Sequence, residues 1–143
     1  DTVIAAAIAQ FLDDLGIGIY RPNDVGGNIF VAKIPDEPDN LIYLAEVPSI
    51  RPSGVHPYSE TTVQAICRGT AQSPVPPYEV AREIYDALHG FNTDTIGSFY
   101  VVGCLSQTGG PISMGRDDND RYEWSLNLDI EFMDVTAHRL AYS

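Results

Sequence analysis

The segment Tyr122-Glu123-Trp124-Ser125-Leu126-Asn127-Leu128-Asp129-Ile130-Glu131-Phe132 decides the fold. Every even-numbered position is aromatic or aliphatic, and every odd-numbered one is Glu, Ser, Asn or Asp. A period of two is what a β-strand produces when one face is dry and the other wet. An amphipathic helix would repeat its apolar positions at three and four instead. The run is about twice the usual strand length, so it is expected to extend beyond the sheet or to bend over it.

Toward the N-terminus, Gln107–Asp120 reads as a long polar loop containing Gly109-Gly110-Pro111. Phe99–Leu105 is apolar almost throughout and reads as a central strand. Ser73-Pro74-Val75-Pro76-Pro77 is a rigid entry into a helix over about Pro77–His89, with Val80, Ala81, Ile84, Ala87 and Leu88 as its buried stripe and Gly90 as its stop. Proline is tolerated in a first helical turn because its missing N–H would have had no partner there. Thr61–Arg68, Leu41–Val47 and Asn28–Ile34 are further strand candidates. The segment Pro48–Glu60 is long, polar and proline-rich, which marks it as a candidate functional loop. Thr2–Leu15 reads as an amphipathic helix capped by Asp1 or Thr2 and ended by Gly16. This order predicts one α+β domain over residues 1–143. Its antiparallel or mixed sheet has about four to five strands, with two helices packed on one face.

The chain carries 20 acidic residues against 8 basic ones, a formal charge of −12, and Lys33 is its only lysine. That balance excludes a groove that wraps nucleic acid, which needs clustered Lys and Arg, and a basic face for an anionic membrane. Hydrophobic residues at 44% and aromatics at 10% suffice for a core, so the acidic excess must lie on a folded surface. The apolar run Val3–Ala9 is far too short to span a bilayer, and it has no basic leader. Cys67 and Cys104 lie in apolar, strand-like runs as small buried thiols. These features predict a soluble protein made in a reducing cytoplasm.

No catalytic constellation emerges. His56, His89 and His138 form no metal-binding pattern, and the cysteines lack zinc-site spacing. His89 falls in the last turn of a helix, where a cation interacts favourably with the helix dipole. Asp117-Asp118-Asn119-Asp120 fails as a calcium loop, because Arg121 and Tyr122 occupy the fifth and sixth places. Glu123, Asp129 and Glu131 share a wet strand face with nothing to split their pKa values for acid–base work. No nucleophile elbow or phosphate loop is present. The sequence therefore predicts no enzyme, no cofactor and no metal.

A set of motifs, taken together, points elsewhere. Gly110-Pro111-Ile112-Ser113-Met114-Gly115-Arg116-Asp117-Asp118-Asn119-Asp120-Arg121 leads directly into the alternating strand. The helix end Leu15-Gly16, the strand end Ile66-Cys67-Arg68-Gly69 and the helix end Ala87-Leu88-His89-Gly90 occur in order upstream. The whole resembles a family of tailed-phage proteins called minor capsid proteins or tail terminators. The resemblance implies a virion protein at the head–tail junction, assembled in the host cytoplasm. It implies a ring, usually of six copies, that caps a long non-contractile tail tube and stops its polymerisation. The partners it implies are further copies of the chain, the tail tube protein and a head-completion stopper protein, with no membrane. DNA passes through the ring without specific binding.

On that reading Arg116, Arg121 and Arg68 are candidates for the subunit interface. Some of Asp117, Asp118, Asp120, Glu123, Asp129 and Glu131 are expected to face the lumen, where carboxylates repel phosphates. A head-completion stopper or other head–tail joining protein is the nearest alternative. A small acidic enzyme would need a pocket of convergent titratable groups. A DNA-mimic regulatory protein would need its acids along one convex face.

Overall fold

The computed structural model describes residues 4–22, 26–48 and 59–134. The expected caps Asp1 and Thr2, the histidines His56 and His138, and most of the Pro48–Glu60 loop lie outside the described residues. In chain order the elements are α1 (Ile4–Asp14), β1 (Ile29–Val31), β2 (Leu41–Pro48), β3 (Ser59–Arg68), α2 (Val75–Leu88), β4 (Asn92–Ile96), β5 (Phe99–Ser106), β6 (Ile112–Arg116) and β7 (Tyr122–Asp134).

The alternating segment is the hub of a mixed sheet with the order β1-β2-β3-β7-β5-β4. Along one edge β7 pairs antiparallel with β3. Along the other it pairs first with β6, over Tyr122–Ser125, and then with β5, over Leu128–Asp134. Its length does not overshoot the sheet, because one strand serves three partners. Only β1 and β2 run parallel.

The described residues form seven strands, more than the four to five that the sequence predicts. The two extra strands bury almost nothing. In β4 only Ile96 is buried, and all five residues of β6 are exposed. Neither has an apolar face for periodicity to reveal. Gly115, at φ 79°, lies where the register of β6 against β7 shifts, and a bulge of that kind hides the alternation further.

Register sets the two faces. Ile42, Cys67 and Trp124 form one row across β2, β3 and β7, and Leu44, Ala65 and Leu126 form the next. These side chains join Ile8 and Leu12 of α1 and Ile84 and Leu88 of α2 in one core cluster. Both helices therefore pack on one face, as expected. Each such fully buried aliphatic side chain is worth about 1.5–3 kcal/mol relative to exposure.

α1 is buried over most of its surface, from Ile4 to Ala9 and at Leu12. Its alanines let the backbone of the sheet come close, and α1 touches β1, β2 and β4, so the sheet curls round it. It ends in paired bonds, Ile17 N–H to the Leu12 carbonyl and Gly16 N–H to the Asp13 carbonyl, with Gly16 at φ 80°. That is the left-handed stop which glycine accepts without steric penalty. At its other end the Glu46 carboxylate accepts from the Ile4 N–H, a negative group at the positive end of the helix. α2 is pinned to β7 by Trp124, whose indole N–H donates to the Pro74 carbonyl at 3.0 Å and whose ring meets Tyr78 edge-on at 4.9 Å.

Candidate assembly surface

No helix covers the second sheet face among the described residues. What crosses it is the connection from β1 to β2, and two arginines hold that connection in place. Arg68, opposite Leu41 and Glu123 in the register, points away from the helices. Its Nη2 donates to the carbonyls of Pro35, Asp36 and Pro38 at 3.0, 3.0 and 2.8 Å, and its Nε to that of Asp39 at 3.2 Å. A buried guanidinium with several donors suits a loop that turns its carbonyls inward. Arg121 reaches the same connection from the β6–β7 turn. It donates to the Asp117 carboxylate at 2.8 Å, to the Asp36 carbonyl, and to the Asp39 carboxylate at 3.2 Å. Arg116 differs. It is exposed, and its guanidinium bonds the Tyr122 hydroxyl at 2.7 Å and lies over that ring.

The charges of the cluster are matched inside the chain. Burial alone would raise the Asp117 carboxyl, but the N–H groups of Arg121 and Asn119 and the Arg121 guanidinium outweigh it and hold the pKa below its ordinary value. Arg121 is held above its ordinary value: burial opposes this, but the bonds to Asp117 and Asp39 prevail. Burial and the like charge of Arg121 lower Arg68. Burial, then Asp117, push the Glu123 carboxyl up.

The six predicted lumen carboxylates therefore fall into groups. Asp117 and Glu123 belong to the arginine cluster, and Asp118 and Asp120 are exposed at the tip of the β6–β7 turn. Asp129 and Glu131 lie further along β7, six residues and more from Glu123, or roughly 20 Å at the usual strand rise. Asp129 accepts from the Thr62 hydroxyl at 2.7 Å and from the Gln107 amide at 2.9 Å. Glu131 stands directly opposite Glu60. The face around them is open and mixed: Thr62 and the 59% exposed Leu105 flank Asp129, and the 46% exposed Ile112 lies further back, opposite Ser125.

Sequence reasoning missed Asp36 and Asp39, because their part is played largely by backbone carbonyls. The i,i+4 pair Asp117–Arg121 was the one readable signal. His89 Nδ1 accepts the Ser106 N–H at 2.9 Å, and its ring stacks on Tyr85 at 4.8 Å. Cys67 and Cys104 are buried and unpaired. Desolvation pushes both thiols up to about 12, with Asp129 adding to the effect at Cys104. A groove of about 480 Å³ between α1 and the β4–β5 turn is lined by Ala6, Gln10, Phe11, Asp14, Tyr20 and Gly97, among others. Asp14 is the one carboxylate in its lining, which is not a convergent acid–base set. Among the described residues no group of three or more His, Cys, Asp or Glu is placed to hold a metal. None of their helices is long and apolar enough to cross a membrane.

The profile of the family described as bacteriophage tail terminator protein matches residues 11–133. The chain belongs to the bacteriophage tail terminator family. The match runs from Phe11 in α1 to Met133 in β7, so it takes in α2, the arginine cluster and the open sheet face. No curated protein matches the chain. As a tail terminator family member the chain is implied to be a virion component that contacts other virion proteins.

Proposed function

We propose that this chain is a structural protein that closes into a ring, of six copies, on the last ring of a long non-contractile tail tube. The ring stops tube polymerisation, presents a surface to the head-completion stopper protein and lets DNA through. It performs no catalysis. The family match over residues 11–133 carries this reading. Two features of the geometry support it. β4 and β6 are exposed strands with no partner on the outer edge among the described residues, an edge that a neighbouring chain can use. The arginine cluster stiffens the β6–β7 turn, so that Asp118 and Asp120 project from a fixed base. We assign these two to the lumen wall, with Asp117 and Glu123 behind them, where they repel passing phosphates. The exposed Arg116 takes the interface role, while Arg68 and Arg121 act within the subunit.

Deleting the gene tests the assignment. Tails of uncontrolled length are expected, and the protein should lie at the head-proximal end of the tube in a virion reconstruction. Tails of normal length in the deletion strain would overturn it.

A further inference from the structure

Four cations among the described residues are exposed: Arg21, Lys33, Arg82 and Arg116. Arg82 pairs with Asp86 at 3.5 Å, and Arg116 is held over the Tyr122 ring. Arg21 and Lys33 have no hydrogen-bond or ion-pair partner among the described residues, and both stand at one edge of the sheet. Tyr20 bridges Ile29 of β1, which sets Arg21 just outside that strand, and Lys33 follows it in the chain. The same edge exposes Ile19 and Ile34, each at 45%.

The complementary surface lies on β3, β5 and β7. Glu60 and Glu131 face each other across the strand pair with no cation beside them among the described residues, and like charges so placed repel. Asp129 is the next residue on that face of β7, with the exposed Leu105 opposite it. In the sheet order β2 lies between β1 and β3, and β2 and β3 lie between β1 and β7, so the acids stand roughly 10–14 Å across the sheet from β1. One surface is basic and apolar, and the other is acidic and apolar.

We infer that these two surfaces are the halves of a subunit–subunit contact: the β1 edge of one copy, with Arg21, Lys33, Ile19 and Ile34, docks on the Glu60–Asp129–Glu131 face of the next. The partner is a second copy of this chain. Two unlike patches on separate parts of one subunit cannot satisfy each other within it. Repeated head to tail they form a heterologous interface, which closes into a ring when the rotation allows. The contact relieves the Glu60–Glu131 repulsion and lets copies of charge −12 approach one another. It also withdraws Asp129 and Glu131 from the lumen and covers apolar side chains that a DNA passage has no use for. This inference rests on the ring reading.

Lys33 gives a direct test, because it is the only lysine. A water-soluble carbodiimide joins an amine to a carboxylate only where the two touch. On purified tails it is expected to bond Lys33 of one copy to Glu60, Asp129 or Glu131 of another. The linked peptide is identified by mass spectrometry and is absent in Lys33→Arg. An oligomer on the tails whose Lys33 bonds elsewhere, or not at all, overturns the contact and leaves the ring standing. Absence of any oligomer on the tails overturns both. Charge exchange is the second measurement. Arg21→Glu with Lys33→Glu should lower the tail-bound protein at least ten-fold, and adding Glu60→Arg and Glu131→Arg in the same chain should restore it. No recovery in a folded four-fold variant rejects the pairing.

Discussion

The two ends of β7 carry the same kind of residue on the same sheet face and use it in opposite ways. At the N-terminal end Glu123 stands beside Arg68 and Arg121, and with Asp117 they form a group whose charges offset one another inside the subunit. Toward the C-terminal end Glu131 meets Glu60, and no cation of the described chain reaches them. Residue type alone does not separate a structural carboxylate from one available to a partner. The separation comes from what the third strand over, or a loop far away in sequence, brings alongside. The closed end holds the fold, and the open end is where a second protein has something to gain.

The largest expected effect breaks the closed end. Arg68→Met removes the donors for the inward carbonyls of Pro35, Asp36, Pro38 and Asp39 and leaves them without that partner. A loss of about 3–5 kcal/mol is expected from denaturant unfolding. Arg68→Lys should recover only part of it, since an ammonium cannot reproduce the planar fork. A change under about 1 kcal/mol in Arg68→Met would show that the crossover is held by something else.

Arg121→Ala should cost less, about 2–3 kcal/mol. Only its Asp117 arm is well shielded, with that side chain 17% exposed, whereas Asp36 and Asp39 are 80% and 56% exposed and contribute little through solvent. If the closed end is one unit, the double variant Arg68→Met with Arg121→Ala will lose less than the two single losses combined. Full additivity would divide the cluster into two independent contacts.

The carboxylates of the closed end, together with Glu46 beside α1, also predict a pH profile with a maximum. Glu123 and Glu46 ionise above their ordinary value of 4.5, chiefly because of burial. Their charged forms are disfavoured in the fold, so stability rises as pH falls through their raised values. Asp117 behaves oppositely. Its folded pKa lies below 3.8, so its contribution is complete above that value and is lost as pH falls through the depressed one. The melting temperature is expected to climb as pH falls from 7 toward 4.5, where the gain from Glu123 and Glu46 is complete, and to drop as pH falls below 3.8 and Asp117 is protonated. In Arg121→Ala the acid limb should flatten. A monotonic profile in the wild-type chain contradicts this balance.

Much of this was legible in the sequence where burial imposes a period. β7, β5 and both helices show it through Trp124, Leu126, Leu128, Val101, Ile8 and Ile84, which meet in one core. β4 and β6 were not legible, because an exposed edge strand needs only backbone hydrogen bonds, and every residue but proline has those. The arginine cluster hid for the same reason: Arg68 binds carbonyls about thirty residues away, and a carbonyl carries no side-chain signature. Asp129 and Glu131 were visible as wet-face acids, but their separation from Asp118 and Asp120 depended on β7 being one long strand shared among three partners.

The smallest expected change in stability is at the open end, and it sharpens the comparison most. Glu131→Gln keeps the shape of the side chain, removes a charge opposite Glu60, and breaks no bond made within the described chain. Its effect on unfolding should stay within about 0.5 kcal/mol and lean toward stabilisation. The same substitution removes one of the carboxylates proposed to receive Lys33 or Arg21 of the next copy, so binding of the protein to tails should weaken while folding does not. Glu123→Gln makes the matched control at the closed end, where any change should appear in the isolated subunit's stability and not in tail binding. If both variants changed stability alike and tail binding alike, the two ends of β7 would be equivalent and the division between a structural end and a partner-facing end would fail.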